Sequence, residues 1–129
     1  MVAVRSIGER KGEISIGGNS VAFISPIPSG IRGGHAIWFA DFDRDELPEL
    51  LAGFRENGGP KGLPGLNIYD LDIDELGSFI GAEKHVIDDG GMATEDARAA
   101  DMNGDGWPDI VAFGRATHNI KYYENLGKP

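Results

Sequence analysis

No cysteine occurs in this chain, so disulfides and thiolate metal sites are both excluded and the redox compartment stays open. Apolar runs of membrane-spanning length are also missing, and Met1-Val-Ala-Val-Arg5 lacks the apolar core of a signal peptide. No membrane insertion is expected. Positive charge is scarce: 12 Lys and Arg stand against 21 Asp and Glu, a net charge of −9. Phosphates would be repelled, so neither nucleic acid nor an anionic membrane is an expected partner. Helical periodicity is absent too, since no window of a dozen residues repeats its apolar positions every 3.6 residues. No Ser-His-Asp set, phosphate loop, nicotinamide fingerprint or His-rich zinc motif can be assembled.

Glycine and proline are plentiful and evenly spread, 20 and 7 in 129 residues, which suits one domain of many short strands. Alternating apolar residues bounded by turn residues predict strands at Glu13–Ile16, Val21–Ile27, Ala36–Ala40, Leu50–Phe54 and Leu66–Leu71. Further strands are predicted at Phe79–Ile87, Ala97–Ala100, Ile110–Phe113 and Asn119–Glu124, with a turn at Asn57-Gly-Gly-Pro60. The expected class is all-β, with about nine strands.

The most informative stretch is Asp101-Met-Asn103-Gly-Asp105-Gly-Trp107-Pro-Asp109. Side-chain oxygens fall at loop positions 1, 3, 5 and 9, and Trp107 at position 7 offers its backbone carbonyl, a donor set suited to Ca²⁺. An EF-hand would close with Glu at position 12 and continue as a helix. Ala112 stands there instead, within a β-prone run, so the loop joins two strands. The same residues also serve an ordinary Asn-Gly/Asp-Gly hairpin turn without metal. The pattern recurs sixty positions earlier, with Asp41, Asp43, Asp45 and Glu49 as candidate ligands and an apolar run after Pro48. There Arg44 and Glu46 replace the two glycines, and Arg44 brings positive charge towards the would-be ion, so weaker binding is expected in this first loop.

Four strands per unit at this period point to β-propeller blades. Residues 34–93 then form a whole four-stranded antiparallel blade, residues 94–129 a blade lacking its outer strand, and residues 1–33 hold the outer strands of a preceding blade. A closed propeller needs roughly four to eight blades. The chain is therefore expected to be a fragment with flanking blades elsewhere, or a unit that self-associates.

Ala99-Ala-Asp101-Met-Asn-Gly-Asp-Gly-Trp-Pro-Asp109-Ile-Val-Ala and Asn119-Ile-Lys-Tyr-Tyr-Glu-Asn125 resemble the FG-GAP or VCBS repeat, the blade also used in integrin α-subunit heads. The resemblance is strong over 88–125, weaker over 34–71 and faint before Gly30. It implies Ca²⁺ in the Asp loops, a binding or scaffolding role towards a protein or carbohydrate ligand, and an extracellular or periplasmic location. Gly90-Gly-Met-Ala-Thr-Glu95 with Gly114-Arg-Ala-Thr-His118 is more loosely similar to propellers of aldos-2-ulose dehydratase type. That similarity implies the alternative of a sugar-processing lyase or dehydratase, although no cupin signature accompanies it.

Six residues before each Asp loop stand His35 and Glu95, at starts of expected inner strands. They are read either as channel-lining ligand or acid/base groups or as ordinary polar residues at strand starts. Asp70, Asp72 and Asp74 alternate on a strand without glycine and are expected on a solvated face, as are His85 and His118. Of Trp38 and Phe39, one is expected in the core and the other between blades. Trp107 is expected to be partly exposed, stacking on a sugar ring or capping its loop. Tyr122 and Tyr123 point to opposite faces, so at least one belongs to the core.

Overall fold

The computed structural model describes residues 12–16, 20–24, 31–56 and 61–128, the first two stretches as backbone only. Nine strands occur among them: β1 (Gly12–Ile16), β2 (Ser20–Ile24), β3 (Gly34–Ala40), β4 (Glu49–Phe54), β5 (Gly65–Ile73), β6 (Phe79–Asp89), β7 (Thr94–Ala100), β8 (Asp109–Gly114) and β9 (Asn119–Tyr123). No helix is found among the described residues. β3-β4-β5-β6 form a four-stranded antiparallel meander, β7-β8-β9 a three-stranded one, and β1-β2 a separate hairpin. The expected all-β class holds. Residues 25–27 and the expected turn at 57–60 lie outside the described residues.

Register decides which residues meet between the sheets. Leu51 pairs with Ile68, and Ala97 with Ala112, so each pair lies on one face of its sheet. These faces meet in a core of Ala36, Leu51, Leu66, Ile68, Met92, Ala97, Ile110 and Ala112, with Phe42 at one end. Leu50, Ala52 and Tyr69 make a second cluster on the opposite face of the first sheet, where Leu71 and Phe79 pack on it. All six residues of β4 are buried, which is why Leu50-Leu-Ala-Gly-Phe54 reads as a continuous apolar run without alternation. Each such leucine contributes about 1.5–3 kcal/mol on burial.

β7 packs on β3 and β4. Gly53 permits this approach, because a Cβ there would collide with Thr94 Cγ2 and lie 2.9 Å from the Ala36 Cβ. The Thr94 hydroxyl donates to the Gly65 carbonyl at 2.9 Å, satisfying a buried oxygen across the sheets.

Trp38 and Phe39 depart from expectation, being 38% and 41% exposed, so neither is a core residue. Their strand lies at the edge of its sheet. Trp38 takes the Arg98 guanidinium of β7 over its ring at 4.8 Å. Phe39 lies with Leu47, Leu71 and Ile73 along an open groove. Tyr123 packs against the inter-sheet core, whereas Tyr122 on the other face is 48% exposed.

Candidate metal centre

Two loops carry the proposed ligands. The first runs from β3 to β4, with Ala40 paired to Glu49; the second runs from β7 to β8, with Ala100 paired to Asp109. Their internal hydrogen bonds correspond residue by residue. Asp41 accepts from the Asp45 and Glu46 amides, both at 3.0 Å. Asp101 accepts from the Asp105 and Gly106 amides at 3.1 and 2.9 Å, and also from Gly104 at 2.8 Å. Asp43 and Asn103 each accept from the amide two residues on, at 3.1 Å. Asp45 and Asp105 do the same towards Leu47 and Trp107, at 2.8 and 2.9 Å. Finally Glu49 takes the Phe42 amide at 2.6 Å, and Asp109 takes that of Met102 at 3.0 Å. Short acidic side chains that bond to their own backbone fold such turns locally.

The backbone matches as well. Gly104 and Gly106 have φ of 80° and 89°, and Arg44 and Glu46 adopt 61° and 76° at the corresponding places. Left-handed backbone at a non-glycine residue costs roughly 1–2 kcal/mol. The first loop thus keeps its shape despite its sequence.

In that loop the carboxylates converge. One oxygen each from Asp41, Asp43, Asp45 and Glu49 lies within 4.8 Å of all the others, the one such group of His, Asp or Glu among the described residues. Calcium binds oxygen at about 2.3–2.6 Å, so two ligands across one ion stand roughly 4.6–5.2 Å apart. The cluster fits such an ion in size and in donor chemistry. Glu49 is the buried member, at 5% exposure. Burial, and then repulsion from Asp43, Asp41 and Asp45, raises its pKa against the lowering effect of the Phe42 amide. Arg44 does not enter this cluster; its guanidinium lies over the Trp107 ring, 5.3 Å from the centroid. Lys128 is paired with the cluster instead, its Nζ 3.3 Å from Asp43.

The second loop holds three carboxylates and one amide. Asn103 Nδ2 donates to Asp105 and Glu124, both at 3.1 Å. Asp109 is fully buried, its second oxygen accepting the Asn125 amide at 2.9 Å. That bond, followed by the Met102 amide, holds its carboxyl below the usual range. Trp107 is half-buried, and Gly127 packs against its indole. With Arg44 on one ring face, Trp107 joins the two loops. The Asn125 amide group adds a bond to the Phe42 carbonyl at 2.8 Å, so the segment after β9 ties both loops together.

Other expected residues fall into place around these loops. His35 Nδ1 is 3.7 Å from Glu95, whose other oxygen lies 3.4 Å from Arg55. The two strand starts are therefore brought together. Asp70 and Asp72 are exposed, as are His85 and His118. Asp74 instead caps a turn, accepting from the Leu76 and Ser78 amides at 2.9 and 2.8 Å. Sequence reasoning missed Asp88, which the pattern Asp88-Asp-Gly-Gly91 marks only as a turn. It is buried and accepts from Lys121, Tyr123 and the Gly91 amide at 2.7, 2.6 and 2.6 Å.

Comparison of the chain with protein-family models, with curated proteins and with solved structures found no match.

Proposed function

We propose that this chain is a calcium-binding segment of a β-propeller of the FG-GAP or VCBS kind, serving as a binding or scaffold module for a protein or glycan ligand. One observation carries the metal reading: the four carboxylates of Asp41, Asp43, Asp45 and Glu49 converge to the dimensions of a single hard cation. The corresponding hydrogen-bond pattern supports a second site at Asp101, Asn103, Asp105 and Asp109, with the Trp107 carbonyl as a further oxygen. The ion's contribution is charge neutralisation: it offsets repulsion among carboxylates that the loop holds together. The residues hold it between two strands, which favours a structural role over a catalytic one.

The alternative is a sugar-processing lyase or dehydratase acting through His35 and Glu95. The approach of His35 on β3 to Glu95 on β7, between the two sheets, favours it. Arg55, engaged with the same carboxylate, suits an ion-paired seam between the sheets equally well.

Calorimetric titration with Ca²⁺ tests the metal reading. The wild-type chain should release or absorb binding heat, Asp45→Ala should remove one site, and Asp105→Ala the other. Absence of heat, together with an unchanged thermal midpoint in excess Ca²⁺, would overturn it.

A further inference from the structure

In the first sheet β6 lies beside β5, paired along nearly its whole length. The second sheet ends, among the described residues, at β9, which pairs with β8 and leaves its other edge open. An open edge presents a row of amides and carbonyls that templates another strand. Beside it lies a groove of about 460 Å³, walled by β5 and β6 of the first sheet and by Ile110, Tyr123 and the segment after β9. Ile68, Ile87 and Tyr123 give it an apolar wall; Asp70, Glu83 and Glu124 give it an acidic rim, and no Lys or Arg lines it.

The hairpin β1–β2 has complementary properties. Among the described residues it forms a two-stranded sheet of its own, with no third strand on either edge. Hairpins of two strands are marginal in water unless something packs on them. Its register puts Ile14, Ile16, Ala22 and Ile24 on one face. Arg10 and Lys11 directly precede β1, with Arg5 further upstream, the opposite charge to the groove's rim. Nine residues tether Ile24 to the start of β3, which lies at the far edge of the first sheet from β6.

We infer that the groove and the open edge of β9 receive the β1–β2 hairpin of a second copy of this chain, with β2 laid antiparallel along β9. Strand addition supplies backbone hydrogen bonds, the apolar face of the hairpin covers Ile68 and Ile87, and the basic residues meet the acidic rim. The contact is heterologous, so it builds a closed ring or an open chain of copies.

Light scattering on the full chain across a concentration series tests this, with two charge-reversed variants. The first, Asp70→Lys with Glu83→Lys, reverses the rim. Both positions are exposed and face each other across β5 and β6, so one like-charged pair replaces another. The second, Arg10→Glu with Lys11→Glu, reverses the hairpin's approach. The wild-type chain should gain mass with concentration. Each variant alone should stay monomeric where the wild type associates, and an equimolar mixture of the two should associate again. Amide exchange gives a reading free of mutation: protection of residues 119–123 should rise with protein concentration. A wild-type monomer at every concentration, association untouched by either reversal, a mixture that fails to recover, or β9 protection independent of concentration would each overturn the inference.

Discussion

The Asp88 carboxylate, on the outer strand of the four-stranded sheet, accepts the Tyr123 hydroxyl at 2.6 Å from the last strand of the other sheet. Lys121 and the Gly91 amide complete its surroundings. Tyr69 stands at the matching place in the first sheet, since Leu50–Tyr69 and Ile110–Tyr123 are corresponding pairs. Its hydroxyl receives Asn67 Nδ2 at 3.1 Å, while Asn67 Oδ1 is buried without a partner. The clamp between sheets is thus built once among the described residues, and on Asp88.

Asp88→Asn should lower stability by about 2 kcal/mol at neutral pH, the scale of a hydrogen bond to a charged group. Burial alone would raise the Asp88 pKa, but Lys121, Tyr123 and Gly91 together hold it below its ordinary 3.8. A depressed carboxyl stabilises the fold above its unfolded pKa and loses that contribution as pH falls through the lower folded value. The gap between wild type and variant should therefore be constant down to about pH 4 and close below it. Urea melts from pH 7 to pH 2 measure this, and a gap that persists in acid would show that the charge is not what the clamp uses.

Glu46→Gly should stabilise the chain by about 0.5–1 kcal/mol, because the substitution relieves a left-handed backbone and gives back part of the gain as unfolded-state entropy. Gly106→Ala should cost about 1–2 kcal/mol by the reverse argument. The new Cβ would also lie 3.2 Å from Arg44 Nη1. Thermal melts in chelator separate these backbone effects from any ion.

Glu49→Gln should change sign with calcium. Glutamine keeps an oxygen for the Phe42 amide and removes a charge whose pKa is raised by burial and by three neighbouring aspartates. In chelator, that raised pKa makes wild-type stability fall as pH climbs from about 4.5 through the folded value, and the variant should lack this fall. At a hundredfold excess of Ca²⁺ over its dissociation constant, a bound ion adds about 2.7 kcal/mol to the wild type. The variant should lose most of it. Paired melts at pH 7, with and without Ca²⁺, give both numbers.

Local pattern alone was enough for the strands and the two Asp loops. A strand of alternating residues, or a loop whose aspartates bond to amides two to five positions on, depends on neighbours in the chain. The sixty-residue repeat likewise anticipated two loops of one backbone shape, even where Arg44 and Glu46 stand for glycine. Tertiary structure decided what lies across each face. Alternation cannot tell which side of a strand is covered, so one of Trp38 and Phe39 was expected in the core and the other between blades, yet both lie partly exposed on an edge strand. Charge counting set Arg44 against the first loop, whereas packing carried it to Trp107 of the second. Glu49 was legible as a candidate ligand, but only the fold shows that it starts a buried strand and lies near the three aspartates of its own loop. Asp88 offered locally no more than a turn, because its partners Lys121 and Tyr123 come from 33 and 35 residues away and meet it only when the two sheets stack.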